Sequence, residues 1–163
     1  MLRIKDGKII RLEELVTSLT VALEDGSYAY SEIAHGDDIL SFIKRGKESE
    51  ERAMKEKSLE DEDPLSLVFI STLPWRGFSS LIQPVPLFPA DSNPRITWGR
   101  IREDGDIFLL PVSILANHVL ADGRHVASFF SFFEEEECGR GQESTLTLFA
   151  VIPPSSTRVF VYP

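Results

Sequence analysis

The stretch Asp106 to Phe133, DIFLLPVSILANHVLADGRHVASFFSFF, changes character twice along its length. Ile107 to Ala116 is a nearly continuous apolar run interrupted by Pro111 and Ser113, the pattern of a strand covered on both faces. Asn117 to Gly123 is a short connection ending in Asp-Gly, a turn signal whose glycine is free to take positive φ. From Arg124 the period becomes helical, with Val126, Phe129, Phe130 and Phe133 on one apolar face. A strand that delivers His118 into a turn, with Asp122 four residues on and a helix behind, holds an imidazole rigidly. His118 is therefore the first candidate for chemistry.

Upstream of this stretch, Leu2 to Leu23 breaks at Asp6-Gly7 and again at Asp25-Gly26. Ile4, Ile9 and Leu12 read as a strand pair around the first turn, and Thr20 to Leu23 as a further short strand. Asp37-Asp38 opens a predicted helix, since an acidic pair suits the positive end of the macrodipole. Ile39, Leu40, Phe42 and Ile43 are expected to supply its buried face. Charges of both signs from Lys44 to Asp63 read as a solvated helix followed by a loop. Leu65 to Ile70 is a second buried strand that runs into Ser71, and Pro74-Trp75 forces a turn. The four prolines between Gln83 and Pro94 exclude a helix and give an irregular connection. Thr97 to Ile101 begins another strand, and Glu103-Asp104-Gly105-Asp106 is read as a turn. Strands at Leu65, Ile96 and Ile107 with a closing helix indicate an α+β sandwich with a mixed sheet.

Bulk properties narrow the function. At 163 residues one domain is the default, and 42% apolar with 26% charged residues is ordinary for a globular protein. A net charge of −9 argues against nonspecific binding to nucleic acid or an anionic membrane. Cys138 is the sole cysteine, so neither an internal disulfide nor a thiolate metal cluster is expected. There is no HExxH, no Gly-rich phosphate loop and no metal-ligand spacing, and the chemistry is expected to need no metal. No run of about twenty apolar residues and no signal peptide is recognisable, which gives a cytoplasmic location as the expectation.

His118-Val-Leu-Ala-Asp122-Gly123 has the form His-x-x-x-Asp-Gly. Three further stretches accompany it in a fixed order: Ile70-Ser71-Thr72-Leu73-Pro74-Trp75, Ile96-Thr97-Trp98-Gly99-Arg100 and Leu109-Leu110-Pro111-Val112-Ser113. Together they resemble the I-S-A-L-P-W, [IF]-T-[MW]-[GA]-K and L-P-[LV]-[SA] segments of chloramphenicol acetyltransferases. More distantly, they resemble the acyltransferase core of 2-oxo acid dehydrogenase complexes. The opening Leu2-Arg3-Ile4-Lys5-Asp6-Gly7 looks like a mid-chain segment of the family, and the likeness runs from about Met1 to about Glu135. It implies a two-layer α+β sandwich, a mixed β-sheet packed by helices, lacking the family's N-terminal part. Residues 1–137 are then the chloramphenicol acetyltransferase-like domain and 138–163 a C-terminal extension, either a strand pair or a poorly ordered tail. Within that extension Leu146 to Ile152 and Thr157 to Tyr162 are the candidate strands, around Pro153-Pro154-Ser155-Ser156.

The resemblance also implies the chemistry: acetyl transfer from acetyl-CoA, as co-substrate, to a hydroxyl of a small chloramphenicol-like acceptor, by direct attack. Imidazole suits the base, since its ordinary pKa of about 6.5 leaves it largely neutral near neutral pH. His118 takes that role, the second of the family's two consecutive histidines, with Asn117 in place of the first. Ser71 is placed as the oxyanion donor and Thr97 as a second polar contact acting through water. Asp122 would order the loop, in the family by pairing with an arginine from the N-terminal part. Arg100 stands where a lysine is common and would meet a phosphate of coenzyme A, while Trp75 would pack beside the cofactor tunnel. Plainer readings stand beside these. Ser71 ends a strand, Thr97 is a good strand residue, Asp122 forms a turn, Arg100 is an exposed strand-end cation, Trp75 is core, and His35 and His125 are structural or surface residues. A homotrimer is implied, with no nucleic acid and no membrane as partners. The competing functional reading is a non-catalytic, truncated relative without an acceptor pocket.

Overall fold

The computed structural model describes residues 1–36, 38–59, 63–86, 91–105, 107–138, 144–152 and 158–160, with backbone alone for 107, 134–138, 144–152 and 158–160. The chain divides into two units, Met1–Ser71 and Thr72–Pro163, each an α+β arrangement of a mixed sheet with one helix.

In the first unit the Asp6-Gly7 signal makes the expected hairpin. Asp6 and Gly7 take φ of 51° and 72°, joining β1 (Leu2–Lys5) to β2 (Lys8–Arg11) with Lys5 opposite Lys8. Both central residues at positive φ match the twist of the flanking strands. Arg3 of β1 is 1% exposed, yet its guanidinium donates to the carbonyls of Leu65, Leu2 and Leu67 at 2.9, 3.0 and 2.8 Å. A buried cation needs such acceptors to offset its lost hydration.

The strand expected at Thr20 is longer than its signal: β3 (Val16–Ala22) pairs antiparallel with β4 (Tyr28–Ala34) across the Asp25-Gly26 turn. β5 (Leu67–Leu73) runs parallel to β3, with Val16 opposite Leu67, and carries through Ser71. The crossover contains α1 (Ile39–Glu56), capped by Asp38, whose carboxylate accepts from Ser41 N at 2.8 Å. Asp37 lies outside the described residues.

The expected apolar face of α1 is corrected by the structure. Ile39 and Leu40 are 65% and 75% exposed, Ile43 is exposed too, and only Phe42 of the four is half-buried. The helix instead buries Ser49 and Ala53, small residues that allow close approach to β4. Ser31 Oγ donates to Ser49 Oγ at 2.9 Å, Ser49 Oγ donates to the Glu32 carbonyl at 2.8 Å, and Ala53 packs with Val21 and Ala29. Side-chain size decides which face docks, and hydropathy in one turn does not reveal it.

In the second unit β8 (Ile107–Leu115) is the spine. It pairs antiparallel with β6 (Arg95–Gly99) and with β7 (Arg102–Asp104), and parallel with β9 (Ser144–Ile152). The turn expected over Glu103-Asp104-Gly105-Asp106 is narrower than read: Glu103 and Asp104 belong to β7, and Gly105 takes φ of 64°. Asp106 lies outside the described residues. β8 is long enough to carry both partners, with β7 opposite Ile107 to Leu109 and β6 opposite Val112 to Leu115. Pro111, which has no N–H to give, falls where the ladder passes from one partner to the other.

Alternation in β8 separates two faces. Ile114, opposite Ile96, packs with Val126, Phe129 and Phe130 of α2 (Gly123–Cys138), as the helical spacing predicts. Phe129 and Phe130 meet edge to face with centroids 5.2 Å apart. Ser113, opposite Thr97, points the other way. Beyond α2, β9 pairs with β10 (Arg158–Phe160), Ile152 opposite Arg158, so the C-terminal stretch forms strands. Pro153 to Ser156, Thr157 and Tyr162 lie outside the described residues.

Candidate active site

The end of β8 sets the position of His118. Leu115 is buried opposite Arg95, and the chain leaves the sheet at Ala116 into a turn. The Asn117 carbonyl accepts from Leu120 N and Ala121 N, both at 3.0 Å, so the backbone folds back within one turn. The exposed His118 ring is held by Nδ1, which lies 3.2 Å from the Ala121 carbonyl. A carbonyl only accepts, so this contact requires the proton on Nδ1, and in the neutral ring the lone pair is then on Nε2. Nε2 has no partner among the described residues. An imidazole fixed through one nitrogen and open at the other can take up a proton.

Asp122 bonds within its own turn, at the start of α2. Its Oδ1 accepts from Arg124 N and His125 N at 3.0 and 3.1 Å, which makes it the cap of α2, and lies 2.7 Å from Nδ1 of His125. These backbone and side-chain bonds from His125 hold its carboxyl below the usual range. Asp122 N also lies 3.3 Å from the same ring nitrogen, but one nitrogen cannot both donate and accept. The shorter contact to a carboxylate assigns the proton to Nδ1. The sequence reading of His125 as a structural or surface residue does not reveal this contact. The signal available was its place three residues after a capping Asp.

Thr97 is 2% exposed in β6, and its Oγ1 accepts from Gln83 Nε2 at 2.6 Å. Ser113 lies directly across the ladder, also buried, with no partner for its Oγ among the described residues. Gln83 had no sequence signal beyond lying in the proline-rich connection. Ser71 is half-buried in β5, in the first unit, and nothing described bonds to its hydroxyl.

Arg100 and Arg102 are exposed and line a cleft of ≈ 700 Å³ with Phe78, Ile101, Leu109 and Pro111. That volume lies within the range of small-molecule sites. Beside the cleft Gly99 packs tightly: a Cβ there would lie 2.8 Å from the Arg76 carbonyl and 2.8 Å from Cγ of the lining residue Pro111. The same Arg76 carbonyl accepts from Arg100 N at 2.9 Å, fixing the backbone that presents the guanidinium. Trp75 is 74% exposed, so it is not a core residue. Among the described residues no group of three or more His, Cys, Asp or Glu could hold a metal ion. No helix among them is long and apolar enough to cross a membrane.

Comparison with known proteins bears on the family and the fold. The family described as chloramphenicol acetyltransferase matches residues 2–134. Chloramphenicol acetyltransferase 3 of Escherichia coli is 30% identical over 135 residues, covering 81% of this chain and 63% of that protein. The chain thus spans less than two thirds of that relative's length. A solved chloramphenicol acetyltransferase superposes with a TM-score of 0.59 at 19% identity, over 82% of this chain and 67% of the other. Azotobacter vinelandii dihydrolipoamide acetyltransferase superposes at 0.58 with 18% identity, over 82% and 58%. The cubic core of a pyruvate dehydrogenase multienzyme complex gives 0.54 at 18% identity, over 80% and 57%. At these identities the structural matches speak for the fold.

Proposed function

The chain belongs to the chloramphenicol acetyltransferase family, and from that premise we propose that it moves acetyl from acetyl-CoA to a hydroxyl of a small, chloramphenicol-like acceptor. The observation that carries this reading is the His118 ring, anchored by Nδ1 to Ala121 and open at Nε2. In the reaction, Nε2 takes the acceptor's hydroxyl proton as its oxygen attacks the thioester carbon. The C–S bond then breaks, and the proton passes from the imidazole to the departing coenzyme A sulfur. No acyl-enzyme forms.

Ser71 donates to the tetrahedral oxyanion, with Thr97 as a second polar contact through water. Asp122 keeps the start of α2 in place behind the His118 turn, through His125 and the backbone. Arg100, on its cationic cleft, meets a phosphate of coenzyme A, and the exposed Trp75 lies along the bound cofactor. No metal takes part. The work done on the A. vinelandii structure concerns a serine, a histidine and an asparagine four residues after it in that enzyme's catalytic mechanism. His118 and Asp122 have the same spacing here. In this reading residues 1–137 are the acyltransferase-like domain, 138–163 an extension of it, and the chain works as a cytoplasmic homotrimer that inactivates an antibiotic-like alcohol.

The test is an acetyl-CoA assay with thiol detection against chloramphenicol and a panel of alcohols. Turnover is expected, and His118→Ala should lower it by about 10²–10⁴-fold, the usual share of a positioned base. Absence of turnover above background would make the chain a non-catalytic relative.

A further inference from the structure

The residue before the proposed base carries more of the loop's architecture than its place in the sequence suggests. Asn117 Nδ2 donates to the Asp91 carbonyl at 3.1 Å, and its Oδ1 accepts from Val119 N at 3.0 Å. One amide thus ties the turn to a distant segment and closes the turn on itself. Its orientation is determined, because a flip would set oxygen against the Asp91 carbonyl and NH₂ against Val119 N. Asp91 is itself anchored: its Oδ2 pairs with Arg95 Nη2 at 2.5 Å, and its Oδ1 accepts from Asn93 N at 2.8 Å. Both partners of that ion pair are largely buried, with side chains 14% and 19% exposed. Arg95 begins β6 opposite Leu115, the last residue of β8, so the ladder brings this anchor beside the His118 turn.

From this we infer that Asn117 is a positioning residue for His118, clamping the 117–121 turn to Asp91 so that the Ala121 carbonyl stays on Nδ1 and the reacting nitrogen is Nε2. The clamp acts through three links: Asn117 to Asp91, Asn117 to Val119, and the Asn117 carbonyl to Leu120 and Ala121. It fixes both where the ring stands and which tautomer it holds, and a histidine bonded from outside commonly has its tautomer set in this way. The inference rests on the acetyl-transfer reading for its kinetic consequence and on none of it for the ring.

Asn117→Asp is the sharpest test, since it keeps the acceptor for Val119 and turns the donor into an oxygen facing the Asp91 carbonyl. In a folded variant kcat is expected to fall by about 10- to 100-fold with KM for acetyl-CoA nearly unchanged, the cost of a misplaced catalytic group. In parallel, the ring-nitrogen NMR shifts of His118 should move from the Nδ1–H pattern of the wild type towards a mixture of tautomers. Asn117→Ser, a turn-compatible residue too short to reach Asp91, should give the same two changes and serves if the Asp variant does not fold. Unchanged ring nitrogens in a folded variant overturn the inference, whatever the rate does. If the wild type shows no turnover, the acetyl-transfer reading falls, and the ring nitrogens alone decide the role of Asn117.

Discussion

Asp122 holds His125 rather than His118: its Oδ1 lies 2.7 Å from His125 Nδ1, and it also caps the helix that follows. The histidine proposed to react and the aspartate four residues on are thus coupled through the chain between them and the start of α2. Asp122 is exposed and its carboxyl is held low by bonds from His125 and from Arg124 N. A lowered folded value stabilises the fold above the ordinary carboxylate range, and the effect fades as pH falls through the depressed value. Asp122→Ala should therefore lower the melting temperature at neutral pH and converge with the wild type in strong acid. Equal melting curves at neutral pH would count against the cap.

A second carboxylate gives a comparison far from the site. Asp25 is lowered to about 2 by the side chain and backbone of Ser27 and by Lys57. Its Oδ2 lies 3.3 Å from Lys57 Nζ, tying the β3–β4 turn to the end of α1. The stabilisation should be complete above the ordinary Asp value of about 3.9 and be lost as pH falls towards the folded value. Asp25→Asn should flatten that part of the stability-against-pH curve, with a small amplitude because the pair is exposed and screened by salt.

Gly99→Ala tests the close packing beside the cleft. The added methyl would meet the Arg76 carbonyl and Pro111 Cγ at 2.8 Å and Phe78 Cε1 at 3.0 Å. Backbone and a proline ring yield little, so a loss of about 1–3 kcal/mol is expected in chemical denaturation. An unaltered denaturation midpoint would mean that this segment relaxes freely.

Ser71→Ala separates an oxyanion donor from a strand residue. As a donor it should cost about 100-fold or more in kcat, with little change in stability. Full activity would return Ser71 to its plainer role in β5.

Much of the frame was legible because it rests on local chemistry. The Asp6-Gly7 hairpin, the apolar run of β8 and the aromatic spacing of α2 each follow from a few neighbouring residues. The buried face of α1 is not legible in sequence because Ser49 and Ala53 dock by being small, and size shows only against the partner sheet. β4 is hidden in the sequence, as Tyr28 to Ala34 mixes polar and apolar residues without a strong alternating signal. At the site, His118 and Asp122 stood out as a spaced pair, whereas Gln83 and the Asp91 anchor meet their partners only through the fold. Contacts of that kind leave no periodic trace in a single sequence.

The lateral pairing of β8 has one more consequence. β9 runs beside it from Phe108 to Leu115, on the margin away from β6 and β7. Without that neighbour, the strand leading to His118 would present a row of unmet amides and carbonyls, a template for other chains. Pairing with β9 thus covers that edge of β8 against nonspecific strand addition. Removing the residues after Cys138 should promote nonspecific aggregation beyond any defined oligomer, visible by light scattering.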